Sequence, residues 1–171
     1  MKKPNIILTG FMGTGKTVVG KAVASALGMK YVDTDLMVEA ETKKSIPVIF
    51  ENEGEQAFRR YETEAIRRIV HLRGYVVSTG GGAPMIEENL MNMKRAGMVV
   101  CLLASPEVIL DRTSHTDYRP LLRTPDPMKK IIALLKVRDP QYRKADYVID
   151  TTKLTVDEVK QKVIALWEKQ E

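Results

Sequence analysis

Residues 10–17 read GFMGTGKT, an instance of the pattern G-x-x-x-x-G-K-S/T. Between a strand and a helix, that pattern is a phosphate cradle. Gly10, Gly13 and Gly15 permit backbone turns that a side chain would block. Successive N–H groups then form an anion nest, and the N-terminus of the following helix adds partial positive charge. Lys16 reaches the β- and γ-phosphates of a bound nucleotide, and the Thr17 hydroxyl suits Mg²⁺. The cradle specifies nucleotide binding and leaves the receiver of the phosphoryl group open.

Asp33-Thr34-Asp35 ends an apolar run. In an extended segment the two aspartates share side-chain parity and face one way. One carboxylate can serve the magnesium shell, and the other can take the proton of an attacking hydroxyl. The competing reading makes Asp35 a helix N-cap. The run at residues 75–78 passes into Thr79-Gly80-Gly81-Gly82 with no acid, so Asp33 is the aspartate best placed for the metal. The D-x-x-G and N-K-x-D patterns of GTP-driven switches are absent. The triple glycine allows close backbone approach to a ligand, with free N–H donors. Arg59 and Arg138 have structural alternatives, as a surface i,i+4 pair with Glu55 and as a cap on helix-terminal carbonyls. Arg119 stands in a proline-bearing loop, a position that suits a lid closing on transferring phosphate. His71 and His115 lack metal-ligand spacing and receive no role.

The elements that must position these groups alternate. Strand-like runs fall at residues 5–9, 30–33, 75–78, 98–103 and 147–149, apolar on both faces as in a covered parallel sheet. Helical patterns fall at 16–27, 36–43, 55–73, 86–95, 106–112, 128–138 and 156–169, with Ser105-Pro106 as an N-cap and first-turn proline. Such alternation predicts an α/β fold. Two stretches break the rhythm: a long connection between residues 33 and 75, and a loop at 113–127 rich in Ser, Thr, Asp and Pro. Loops of that length are usually functional lids or disordered segments.

The 171 residues fit one domain of ordinary globular composition, 44% hydrophobic and 29% charged. The net charge is +5, but its arginines are scattered and aromatics are only 6%, which fits small anions better than nucleic acid. No apolar run approaches a membrane span. Met1-Lys2-Lys3 followed by Ile6-Ile7-Leu8 has the outline of a signal peptide, but the apolar stretch is too short and the cradle breaks it. Cys101 is the sole cysteine, so no intrachain disulfide forms, and a core role is expected. The expectation is a cytoplasmic protein without nucleic-acid or membrane partners.

Taken together, GFMGTGKT, Asp33-Thr34-Asp35, Phe58-Arg59-Arg60-Tyr61-Glu62, the triple glycine, Arg119-Pro120-Leu121-Leu122, Arg138-Asp139-Pro140-Gln141-Tyr142 and Ala145-Asp146 resemble the shikimate kinase family along essentially the whole chain. The resemblance implies transfer of the γ-phosphoryl of ATP to the 3-hydroxyl of shikimate, with Mg²⁺. It implies a three-layer P-loop kinase fold, similar to nucleoside monophosphate kinases. Its five-stranded parallel sheet runs in order 2-3-1-4-5, with a helical substrate-binding segment at 33–62 and a lid at 113–127. Residue by residue, it assigns Gly13, Thr14, Gly15, Lys16, Thr17, Val18, Arg112 and Arg119 to the nucleotide. Thr17 and Asp33 fall to the metal. Asp35, Arg59, Gly80, Gly81, Gly82 and Arg138 fall to shikimate, with Phe50 and Phe58 as an aromatic wall. Lys16, Asp35 and Arg119 become the catalytic set, in a monomer. Thr151-Thr152-Lys153-Leu154 lacks the arginine that some members carry near adenine, and residues 114–118 match no family pattern. The competing readings are another small-molecule kinase, such as a gluconate kinase, and a non-catalytic nucleotide-binding domain.

Overall fold

The computed structural model describes residues 4–115 and 122–170. Five parallel strands stand in the order β2-β3-β1-β4-β5. They are β1 (Asn5–Gly10), β2 (Lys30–Asp33), β3 (Tyr75–Ser78), β4 (Gly97–Leu103) and β5 (Tyr147–Asp150). The predicted order and all five strands are therefore present. β1 is central: Ile7 pairs with Val77 on one side and with Val99 on the other. It is buried on both faces, because successive side chains point to opposite sides of a strand. Ile6 and Leu8 enter a core with Val23, Val163 and Trp167, from helices α1 (Lys16–Leu27) and α7 (Val156–Glu168). Ile7 enters the opposite core with Ile66 and Met93, from α3 (Ile46–Ile69) and α4 (Glu87–Ala96). Three layers result. Helices α5 (Pro106–Thr113) and α6 (Pro127–Tyr142) pack around Phe11 and Cys101, which is buried as expected.

A polar clip closes the far end of the sheet. Asn5 is fully buried; its side-chain amide donates to the Leu72 carbonyl at 2.9 Å and to Ala96 at 3.0 Å, and its Oδ1 accepts from the Tyr75 N–H at 3.0 Å. Because the sheet is parallel, the loops that follow the strands all emerge at the opposite edge, where ligands bind in such folds.

Three helices depart from the sequence expectation by more than one residue. Helix α2 (Thr34–Thr42) begins at Thr34, not residue 36, and its N-cap is Asp33, whose carboxylate accepts from the Asp35 N–H at 2.9 Å. Asp35 thus lies in the first helical turn and neither caps the helix nor extends the strand. Helix α3 begins at Ile46 with Pro47 in its first turn, and Gly54 (φ 83, ψ 171) kinks it before the expected start at 55. Helix α6 continues through Pro140 to Tyr142 instead of stopping at residue 138. A proline in the final turn forfeits one backbone hydrogen bond, and the helix tolerates that loss. Ser105 caps α5 as expected, accepting from the Val108 N–H at 3.3 Å. No helix of the described residues is long and apolar enough to cross a membrane.

Candidate active site

The sheet edge carries a cleft of about 590 Å³, a volume typical of small-molecule sites. Its floor is the cradle between β1 and α1. Gly13 and Gly15 adopt φ values of 78° and 96°, which only glycine takes readily. The Lys16 ammonium lies across the loop, donating to the Gly10 carbonyl at 2.7 Å and the Phe11 carbonyl at 2.9 Å. Thr14 is buried, with its hydroxyl donating to Phe11 at 2.8 Å. Val18 is exposed and lines the cleft.

Asp33 and Asp35 both line the cleft, although one ends a strand and the other starts a helix. The Tyr31 phenol donates to Asp33 Oδ2 at 3.4 Å. Burial raises its pKa, and Ser78, Asp33 and Thr17 all bear on it. Thr17 and Asp33 therefore meet around one phenol, bringing two hard oxygen donors from separate elements together. That donor set fits Mg²⁺. Among the described residues no group of three or more His, Cys, Asp or Glu side chains could hold a metal unaided. His71 and His115 do not line the cleft.

The triple glycine faces this acidic pair. A Cβ on Gly80 would stand 2.5 Å from Glu62 Oε1 and 3.0 Å from Asp35 Oδ1. A Cβ on Gly82 would stand 2.6 Å from the Arg59 guanidinium. A side chain at either position would have to displace the ends of Glu62 and Arg59, so the glycines leave room for those two groups beside the loop. Arg59 is no ordinary surface pair: its Nη2 donates to Glu55 at 3.1 Å, but its Nη1 donates to the fully buried Glu62 at 2.8 Å. Burial pushes the Glu62 carboxyl above its usual range despite that bond. Burial opposes the charge on Arg59, yet Glu62 and Glu55 carry its pKa upward, so the guanidinium stays charged. The Phe50 and Phe58 rings meet in a tilted pair with centroids 4.9 Å apart, and both line the cleft.

Arg138, only 7% exposed, lies over the Phe11 ring at 5.5 Å. It forms no ion pair among the described residues, an unusual condition for a buried guanidinium. Arg112 donates to the Gly13 carbonyl at 3.2 Å and to the Thr151 hydroxyl at 3.3 Å. Thr151 also donates to Leu103 at 2.9 Å, tying the loop after β5 to β4. Arg119 and much of the expected lid lie outside the described residues.

The structure thus brings together every described residue that the sequence singled out. Glu62 and Tyr142 stood inside the recognised motifs without an assigned role; their signal was motif membership alone. Phe11, inside the phosphate cradle, and Thr151, in the segment after the last strand, likewise stood in stretches already singled out but received no role of their own.

A nucleotide cradle, an acidic pair and convergent arginines on one parallel-sheet edge define a P-loop kinase. A family model for shikimate kinase matches residues 12–168. The chain belongs to the shikimate kinase family. It is 46% identical over 160 residues to the shikimate kinase of Caldanaerobacter subterraneus subsp. tengcongensis, covering 94% of each chain. Its structure is similar to that of the shikimate kinase from Acinetobacter baumannii in complex with shikimate, with a TM-score of 0.94 and 40% identity, over 99% of this chain and 95% of that one. A gluconokinase from Sinorhizobium meliloti 1021 shares the fold alone, with a TM-score of 0.69 at 20% identity over 99% of this chain and 95% of that one.

Proposed function

We propose that this kinase transfers the γ-phosphoryl of ATP to the 3-hydroxyl of shikimate in one in-line step, using the residues of the cleft. The observation that carries the assignment is the convergence of Asp35, Arg59 and Arg138 on the triple glycine. That end of the cleft offers a carboxylate for a hydroxyl and two guanidinium groups for a carboxylate. Shikimate carries both functions. A guanidinium–carboxylate contact fixes orientation as well as charge.

In the reaction the 3-hydroxyl oxygen forms a bond to the γ-phosphorus while the bond from that phosphorus to the bridging oxygen of ADP breaks. The hydroxyl proton passes to Asp35. Lys16 exchanges its loop carbonyls for phosphate oxygens and holds them through transfer. Arg59 and Arg138 hold the acceptor, so that positioning supplies much of the rate. Thr17 and Asp33 would hold Mg²⁺, which when bound neutralises charge on the phosphates. Arg112 takes the adenine side, beside Val18. Arg119, assigned by resemblance, completes the charge clamp from the lid at 113–127. Residues 33–62 form the acceptor-binding segment. We infer a monomer in the cytoplasm, in keeping with a single buried cysteine.

The test is ADP release from ATP and Mg²⁺ with and without shikimate, beside quinate and gluconate. Release that depends on shikimate is expected. Equal release with gluconate, or none with any acceptor from folded protein, would overturn the assignment of the acceptor.

A further inference from the structure

Gly80, Gly81 and Gly82 use their backbone groups unequally. All three carbonyls accept hydrogen bonds: Gly80 from the Ala83 N–H at 3.1 Å, Gly82 from the Met85 N–H at 3.1 Å, and Gly81 from the Tyr142 hydroxyl at 2.7 Å. None of their three N–H groups donates to an acceptor among the described residues. Two of the carbonyl bonds are local turns into the short 3-10 helix Ala83–Met85. The third comes from a different element, sixty-one residues further along the chain.

Tyr142 is 1% exposed, in the core that contains Phe11, Ile109 and Ile131. Burial pushes its phenol up to about 12, so it keeps its proton and donates at any working pH. It stands one helical turn after Arg138, so the two side chains share a face of α6. Both reach the same glycine: a Cβ on Gly81 would lie 3.4 Å from Arg138 Nη1 and 3.5 Å from the Tyr142 oxygen. Within a trans peptide, the carbonyl of Gly81 and the N–H of Gly82 point in opposite directions. Drawing that carbonyl toward α6 aims the Gly82 N–H away from α6.

We propose that Tyr142 is a positioning residue for the anion end of the acceptor site. Its hydroxyl fixes the Gly81–Gly82 peptide and sets the spacing between those N–H donors and the Arg138 guanidinium. It touches neither substrate. This inference rests on the reading that Arg138 and the triple glycine hold the acceptor carboxylate.

The decisive variant is Tyr142→Phe, which keeps the ring in the core and removes one oxygen. It is compared with Arg138→Met and with the double variant, each at matched folded fraction. The expected result is a fall in kcat/KM for shikimate of about 5- to 150-fold, the usual range for leaving a buried hydrogen-bond partner unmet. The KM for ATP should stay within about twofold, because the cradle is held by its own bonds. In the Arg138→Met background, Tyr142→Phe should cost less than about twofold further, since the two act on one subsite. A purely structural role would move the ATP and shikimate parameters together, or give fully additive losses; either result overturns the proposal. So does a change below about twofold in the single variant. Loss of shikimate phosphorylation by the unmodified protein would instead overturn the assignment of the acceptor itself, so the two failures are distinct.

Discussion

Arg138→Met separates binding from stability. In the protein without acceptor, the Arg138 guanidinium is 7% exposed and has no ion pair among the described residues. Burial of that charge carries a desolvation cost, which a methionine of similar length removes along with the guanidinium's attraction to the buried Glu62 carboxyl. Against that relief stands the cation–π contact with Phe11 at 5.5 Å, worth about 0.5–2 kcal/mol. The two nearly cancel, so stability should change by no more than about 1 kcal/mol, or roughly 2–4 °C in Tm for a chain of this size. Function responds differently. Removing one member of a buried charge pair with the acceptor carboxylate costs about 2–5 kcal/mol, a fall in kcat/KM for shikimate of roughly 30- to 5,000-fold. The assay pairs steady-state ADP release with thermal unfolding in the presence and absence of shikimate. Saturating shikimate at about 100 times Kd should protect the wild type by about 2.7 kcal/mol, and the variant should lose nearly all of that protection. A variant whose kcat/KM stays within about fivefold of wild type would refute the reasoning, since a carboxylate held by Arg138 cannot be released so cheaply.

Other substitutions probe the rest of the cleft. Lys16→Met should lower kcat by roughly 10²–10³ while the far-UV circular dichroism spectrum is unchanged; wild-type turnover would remove Lys16 from the transfer step. Asp35→Asn should lower kcat by roughly 10²–10⁴ if Asp35 accepts the proton, and a loss below about tenfold would restrict it to binding. Glu62 gives a pH signature. Burial raises its carboxyl above the ordinary 4.5, so the folded protein holds a proton that the unfolded chain has released. Its favourable contribution is complete below that ordinary value and disappears as pH rises through the folded value. Urea unfolding of Glu62→Gln from pH 4 upward should therefore show a shallower fall in stability than wild type; parallel curves would contradict a raised carboxyl.

Most of the architecture was legible because it is written in local periodicity. The run at 75–78 is apolar on both faces, as a strand in a covered sheet must be, and the structure keeps its bounds; the run at 30–33 also keeps its bounds, as a partly exposed edge strand. What escaped were features decided by distant partners. The helical turns from Ile46 to Gly54 were unread because Pro47 and Gly54 both look like breakers, yet one sits in a first turn and the other forms a kink. Pro140 looked like a stop for the same reason. Arg59 looked like half of a surface pair because Glu55 stands at the right spacing; only tertiary packing buries Glu62 and turns the guanidinium toward Gly82. Likewise nothing near Tyr142 in sequence reveals that its hydroxyl reaches Gly81.

The clip at Asn5 has a consequence for how this chain is made. β1 is the first strand to be synthesised and the central one in the sheet, with partners at residues 76–78 and 97–102. Its asparagine needs carbonyls from residues 72 and 96 and an N–H from residue 75 before its amide is satisfied. At about 5–20 residues per second, the ribosome leaves the P-loop strand without neighbours for several seconds. Nascent chains stalled short of residue 96 should therefore hold an apolar strand paired on one side at most, and the nucleotide cradle at its tip should assemble late, when β4 arrives.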